Sequence, residues 1–348
     1  METDAKIYIA GHRGLVGSAI TRRLTAAGFQ NIIVRSRTEL DLRMQHPTID
    51  FLLKQKPDYV FAAAARVGGI LANATRPAEF LRDNLLIAAN VIDGAHAAGV
   101  RKICFLGSSC IYPRTAPQPI SEEALLTGPL EPTNEGYAVA KITALKMLQA
   151  YRKQYGLASV FPMPSNVYGP GDNFDLHSGH VLAALLRKFM LARWVRNGRL
   201  DRVADDEQRH GSIPPDVLKA LDLKRTPDGF VRRRQADPAV VVWGTGRPRR
   251  EFLYVDDLAE ACRLLMEKVD DAQPINVGTG VDLSIRELAD LLQQLTDYDG
   301  PVRWDRSRPD GMPRKLLDIR RIQALGWMPR TSLTAGIRQT MKRHFDEG

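Results

Sequence analysis

Serine, tyrosine and lysine occur in the middle of this chain at a spacing that could deliver a proton to a carbonyl oxygen. Gly107-Ser108-Ser109-Cys110-Ile111-Tyr112-Pro113 closes one short apolar run, and Tyr137-Ala138-Val139-Ala140-Lys141 lies downstream. On a helix, residues four apart share a face, so the Tyr137 phenol and the Lys141 ammonium are neighbours. A ketone that accepts hydride needs a proton donor at its oxygen, and a free phenol with a pKa of about 10 is sluggish at neutrality. The Lys141 cation is expected to bring Tyr137 down, while Ser108 would hydrogen-bond the carbonyl and fix its direction. A lone Tyr-Lys pair also fits a solvated helix face, so the argument depends on its company.

That company is a nucleotide-binding turn. Gly11-His12-Arg13-Gly14-Leu15-Val16-Gly17 follows the first apolar run and precedes a helical pattern. Such a turn lets backbone N–H groups approach a pyrophosphate at the positive end of the helix. Its GxxGxxG spacing differs from the usual GxGxxG, and an ordinary strand-to-helix turn can look the same. Position carries the assignment: N-terminal, strand before, helix after. At the end of the second strand an acidic residue would suit the 2′-hydroxyl of NAD, whereas arginine suits the 2′-phosphate of NADP. The chain has Arg35-Ser36-Arg37 there, with Arg13 as a second cation, so NADP(H) is the expected cofactor. Of the two, Arg37 is expected at the phosphate and Arg35 in solvent.

The elements that must position these groups alternate in type. Lys6–Ala10, Asn31–Arg35, Asp58–Ala62 and Lys102–Gly107 read as strands, with Ser159–Met163 as a fifth. Helical patterns cover Val16–Ala27, Ile49–Lys54, Ala78–Ala98 and Tyr137–Tyr155. Strand, helix, strand, helix predicts an α/β fold, a doubly wound parallel sheet of Rossmann type. Pro164–Asn173 reads as a loop, followed by a helix at His180–Arg193. The stretch Arg193–Asp237 has eleven basic and eight acidic residues, a local 11 − 8 = +3, and reads as an exposed insertion with one short helix, Pro215–Leu221. Ala239–Trp243, Val255–Lys268, Ile275–Val277 and Ile285–Leu295 resume the alternation.

Composition bounds the rest. The chain has 348 residues, 44% of them hydrophobic and 26% charged, as a folded globular protein does. Cys104, Cys110 and Cys262 are too few and scattered for a disulfide framework or thiolate metal site, so no metal is expected. METDAKIYIAGHRG lacks a basic segment followed by an apolar one, so no secretory signal is expected. The longest apolar run, near Tyr59–Ala65, is too short for a membrane span, and a cytoplasmic setting is expected. A net charge of +9 fits nucleic acid, anionic membrane or a phosphorylated small substrate.

The stretches AGHRGLVGSAI, AAARVGGI, LGSSCIYP, LEPTNEGYAVAK, NVYGPGDNF, VVWGTGRPRREFLYVDD, INVGTG and RPDGMPRKLLD resemble the extended short-chain dehydrogenases/reductases. Within them the chain is similar to the branch that epimerises C3 and C5 and then reduces C4 of GDP-4-keto-6-deoxy-D-mannose to give GDP-L-fucose. The likeness runs from residue 6 to about 327, apart from Arg193–Asp237. From the residues alone Cys110 would be a small buried hydrophobe, and His177 would compete equally with His180. The resemblance implies that Cys110 is the base and His180 the acid of epimerisation. Thiol and imidazole, with pKa values of about 8.5 and 6.5, both exchange protons near neutrality.

The resemblance further implies cofactor contacts from Asp41, Leu42, Leu106, Gly107, Lys141, Pro164-Ser165-Asn166-Val167 and His180, beside the glycine turn and Arg37. It implies GDP-sugar contacts from Lys188, Trp243, Arg250 and Asp310, with Lys315 at a phosphate. It also implies a homodimer, and neither nucleic acid nor membrane as partner. The expected division is an NADP-binding domain over 1–167, with contributions from about 239–269, and a smaller substrate region over 168–348 containing the 193–237 insertion. A colitose-type enzyme acting on a 3,6-dideoxy-4-keto sugar would share this pattern. A dehydratase or C4 epimerase with NAD fits less well, given Ser109-Cys110 and Arg37. A binding protein without catalysis would have to retain the Ser/Tyr/Lys set for no purpose.

Overall fold

The structure is a computed structural model, and it describes residues 1–308 and 310–345. The chain forms two compact units. The first comprises Met1–Gly171, Glu251–Val281 and Lys315–Leu333; the second comprises Asp172–Arg250, Asp282–Arg314 and Thr334–Gly348.

In the first unit the elements run β1 (Ile7–Ala10), α1 (Leu15–Ala26), β2 (Ile32–Arg35), α2 (Gln45–Gln55), β3 (Tyr59–Ala62), α3 (Ile70–Thr75), α4 (Pro77–Ala97), β4 (Lys102–Phe105), α5 (Glu135–Tyr155), β5 (Ala158–Pro164) and β6 (Asn166–Tyr168). A six-stranded parallel sheet has the order Pro274–Val277, β5, β4, β3, β1, β2. Every residue of β1, β3 and β4 is buried, because helices cover both faces of a parallel sheet. The chain steps outward from β1 to β2 and then returns to β3 on the other side of β1. The turn after β1 therefore opens at the switch point where such sheets bind ligands. The expected doubly wound α/β fold is the fold observed.

Helices α4 and α5 lie side by side, and α1 packs on Val255–Lys268. Tyr151 donates to Asp93 Oδ1 at 3.2 Å, and His96 stacks on Tyr155 with ring centres 4.2 Å apart. On α4, the buried Asp83 carboxylate is shared by three guanidiniums. Oδ2 accepts from Arg43 at 3.2 Å and Arg66 at 3.0 Å, and Oδ1 accepts from Arg82 at 2.8 Å. Burial pushes this carboxyl up, but the three cations outweigh it and hold it below the usual range.

Two expectations need correction. The run Pro164–Asn173 is not all loop: Asn166–Tyr168 pairs in parallel with Phe252–Tyr254, a partner more than eighty residues away that local composition does not disclose. The 193–237 stretch is not an exposed insertion with one short helix. Besides Pro215–Ala220 it contains the end of Val181–Arg196, a helix at Leu200–His210, and an antiparallel hairpin of Leu223–Thr226 with Gly229–Arg232. Val203, Ile213, Leu218, Leu221, Leu223 and Phe230 are buried there, so its charges surround a small core. Elsewhere in the second unit, Val240–Trp243 pairs in parallel with Val302–Asp305, and a Ser284/Glu287 capping box opens Ile285–Leu295.

Candidate active site

The glycine turn forms a cradle in the first unit. Its helix begins at Gly14, with no side chain capping it and no acidic residue in its first turn. The leading N–H groups of α1 are thus left for an anion. A Cβ at Gly17 would collide with the Gly11 carbonyl, so the turn folds onto the helix only with glycine there. The His12 Nδ1 atom is buried without a partner, a polar atom awaiting a ligand. These features fit a nucleotide pyrophosphate. Leu15 and Val16 pack against the core below, and Arg13 is exposed beside the turn.

At the end of β2 the two arginines differ, though not as expected. Arg35 lies over the Phe51 ring at 5.5 Å and donates to the Val34 carbonyl, so it packs rather than points to solvent. Arg37 is the exposed one, within 3.8 Å of Asp41 Oδ2. Arg43 grips Asp41 by a bidentate contact and, with Arg37, holds its carboxyl below the ordinary value. Leu42 is buried, and its carbonyl accepts from Asn90 Nδ2. On the other side of the cradle, Ser165 N–H donates to Val277 and Asn166 Nδ2 to the Glu251 carbonyl. Ser165 Oγ is buried without a partner, and Val167 sits in register with Leu253. Pro164 ends β5.

Ser108, Cys110, Tyr137 and Lys141 come together at the carboxyl edge of β4 and the start of α5. Ser108 caps a short 3-10 turn, Ser109–Ile111, and its Oγ accepts the Cys110 N–H at 3.4 Å. The same side chain favours the ionised forms of the Tyr137 phenol and the Cys110 thiol. Lys141 reaches under this group. Its Nζ donates to the Leu106 carbonyl at 2.6 Å and lies 5.2 Å from the Phe105 ring centre and 5.7 Å from that of Tyr137. Gly107 N–H ties the strand end to the Pro162 carbonyl.

The electrostatics revise one expectation. Tyr137 is pushed up, not down, because desolvation and then the Cys110 charge outweigh the lowering influence of Ser108. Lys141 is lowered to about 8 by burial. Burial also raises Cys110, opposed first by the positive charge of Lys315 and then by Ser108 and Lys141. Lys315 is held near this group by backbone stitching. Leu316 N–H donates to Gln118 Oε1, Ile120 N–H donates to the Leu316 carbonyl, and Leu317 N–H donates to Glu251.

The remaining candidates belong to the second unit. His180 caps the helix Val181–Arg196 in extended conformation, and its carbonyl accepts the Ala184 N–H at 2.9 Å. His177 is exposed on the preceding loop, its N–H on Asp175. Lys188 donates to the Val241 carbonyl and lies 5.7 Å from the centre of the Trp243 ring. Trp243 is 44% exposed. Asp310 accepts from Thr245 N and Oγ1, and Arg250 donates to the carbonyls of Arg249 and Met312. Arg308, which the sequence reading passed over, stacks on Trp243 at 4.9 Å. Its place two residues before Asp310 was the available signal.

Among the described residues no group of three or more His, Cys, Asp or Glu could hold a metal, and no helix is long and apolar enough to cross a membrane.

Comparison with known proteins agrees with this geometry. A GDP-L-fucose synthase of Arabidopsis thaliana is 46% identical over 339 residues, covering 97% of this chain and 93% of that protein. A GDP-L-colitose synthase of Yersinia pseudotuberculosis is 32% identical over 348 residues, covering 98% of each. Among solved structures, a GDP-D-glycero-L-gluco-heptose synthase of Campylobacter jejuni, determined with NADPH, superposes with a TM-score of 0.87. It is 33% identical over 99% of this chain and 100% of that one. The sequence profile of one family matches residues 7–205 and 220–278, leaving 206–219 outside the match. With its parallel sheet, glycine turn and Ser/Tyr/Lys group, the chain belongs to the NAD dependent epimerase/dehydratase family.

Proposed function

We propose that the protein is an NADPH-dependent epimerase and reductase of a GDP-sugar, converting GDP-4-keto-6-deoxy-D-mannose to GDP-L-fucose. One observation carries this reading: the Ser108 hydroxyl accepts the Cys110 N–H and favours the ionised form of both the Tyr137 phenol and the Cys110 thiol, so one hydroxyl serves both groups. Reduction at a carbonyl and inversion at its neighbouring carbons need different groups around one oxygen, and this arrangement supports both. When bound, NADPH supplies the hydride to C4. Tyr137 gives its proton to the C4 oxygen, Ser108 orients that oxygen, and Lys141 lends positive charge to the phenolate left behind.

Before reduction the 4-keto group acidifies the protons at C3 and C5. Cys110 acts as the base that removes each proton, and Lys315 opposes the burial that would keep its thiol protonated. His180 returns the proton. Arg37 and Arg13 serve the 2′-phosphate, with Gly11–Gly17, His12, Asp41, Leu42, Leu106, Gly107 and Pro164–Val167 completing the cofactor contacts. Lys188, Trp243, Arg250 and Asp310 serve the GDP-sugar. The first unit is the cofactor half and the second the substrate half.

A homodimer working in the cytoplasm fits the exposed Leu86, Val139 and Tyr155 on the adjacent α4 and α5, and three unpaired buried thiols. The test is turnover with purified protein: NADPH absorbance should fall only when the 4-keto sugar is present, and GDP-L-fucose should form. Turnover of the 3-deoxy-4-keto sugar alone would move the assignment to a colitose-type enzyme, and turnover of neither would end it.

A further inference from the structure

The chemistry above leaves one large polar cluster unused. Arg187, seven residues after His180, has no exposed surface at all. Its Nε donates to Asp206 Oδ2 at 2.7 Å, and its Nη1 donates to the carbonyls of Phe174 at 3.1 Å and His210 at 2.9 Å. Its Nη2 donates to the Gly211 carbonyl at 2.6 Å. Phe174 stands six residues before His180, on the loop that leads into the helix. His210 and Gly211 stand at the end of the helix Leu200–His210 and lie, with Asp206, in the stretch outside the family match.

Other contacts tie the same two segments. The Phe174 ring lies 5.2 Å from His210, 4.6 Å from His344 and 5.0 Å from Phe345, centre to centre. A Cβ at Gly211 would sit 2.8 Å from Asp175 Oδ2, at a φ of +89°. From there to the histidine the loop is internally braced. Asp175 Oδ1 accepts the N–H groups of His177 and Ser178 and the Ser178 hydroxyl, and its carbonyl accepts the Gly179 N–H at 2.7 Å.

We propose that Arg187 and Asp206 are positioning residues for His180: their buried ion pair clamps the 174–179 loop to the segment at 206–211 and so fixes where the imidazole stands. The inference rests on the reading of His180 as the proton donor of epimerisation. Stability alone does not explain the pair, since buried ion pairs can often be replaced by apolar side chains without loss. Directed bonds from one rigid fork to three carbonyls of two segments do specify geometry. A misplacement of about an ångström can cost about a hundredfold in rate.

The test uses the full-length protein and follows deuterium entering C3 and C5 of GDP-4-keto-6-deoxy-D-mannose from solvent, with NADPH binding measured in parallel. Arg187→Met/Asp206→Leu, an apolar pair of similar volume, should leave NADPH binding and the KM for the sugar within about twofold. It should lower the kcat for exchange by about tenfold to a hundredfold. Asp206→Asn retains the acceptor for Nε and should restore exchange to within about threefold of the parent. Should the double variant not fold, Arg187→Lys decides, because it retains the charge but has three donors where the guanidinium makes four bonds. Exchange at the parental rate in the folded variant, while His180→Gln abolishes it, would overturn the clamp and leave the role of His180 standing. Parental exchange in His180→Gln would overturn the role of His180 itself.

Discussion

Lys141 in the first unit and Arg187 in the second are both buried cations, and the two are treated oppositely. Lys141 is 4% exposed, and among the described residues its ammonium has one hydrogen-bond acceptor, the Leu106 carbonyl. The Phe105 and Tyr137 ring centres lie 5.2 and 5.7 Å from it, and burial lowers its pKa to about 8. Arg187 places four N–H···O bonds on a carboxylate and three carbonyls. An ammonium left under-bonded is poised to change its charge near neutrality. A saturated guanidinium keeps its charge and serves as a joint. Solvation of the buried charge, more than burial itself, separates a group that takes part in chemistry from one that holds the framework.

The largest test of this contrast is at Lys141. Lys141→Met should lower the rate of NADPH oxidation about 10²- to 10⁴-fold, the range for loss of acid–base machinery. A rate close to the parent's would make Lys141 another structural cation. On the Arg187 side the expected loss is in stability. Arg187→Met alone strands Asp206 and should cost about 3–5 kcal/mol by chemical denaturation, whereas Arg187→Met/Asp206→Leu should return to within about 1 kcal/mol of the parent. Equal losses in the two variants would show that the carbonyl bonds, not the ion pair, carry the stability.

A third test compares pH dependences. Lys141 in the folded chain loses its proton near pH 8, against an ordinary value of 10.5. Between those values the unfolded chain binds more protons, so stability rises with pH. Relative to Lys141→Met, the parent should lose roughly 3 kcal/mol as pH is brought from 10.5 down through 8. A flat difference would mean that the lysine is solvated. The smallest effect is at Ser108, whose hydroxyl lowers the Cys110 thiol. Ser108→Ala should slow reduction about tenfold and move the rise of solvent exchange at C3 and C5 to higher pH.

The same contrast explains what could be read from the residues. Lys141 announces itself because its partner Tyr137 is four positions away and because a glycine turn and a Ser-rich strand end accompany it. The parallel sheet was equally legible, since each strand is a local apolar run between turn residues. Arg187 was not. In VLAALLRKFMLARWVR it looks like one of a pair with Lys188, and its acceptors stand 13 to 24 positions away. The segment that supplies them read as charged and exposed because residue types count charges, not the small core they enclose. The strand at Asn166–Tyr168 was hidden for the same reason, as its pairing partner is remote. The rise at Tyr137 was missed because desolvation, unlike spacing, has no signature in a motif.

The carboxylate of Asp83 carries a different kind of consequence, one of mutational order. Arg43, Arg66 and Arg82 all converge on its two oxygens. Removing any one arginine leaves the anion with two partners, but removing the anion leaves three guanidiniums sharing two carboxylates, Asp41 on Arg43 and Glu79 on Arg66. The four positions are therefore unequal in the histories open to them. An arginine can be lost first and Asp83 later, whereas loss of Asp83 first calls for suppressors among the three arginines, and selection for revertants of Asp83→Asn should find them there.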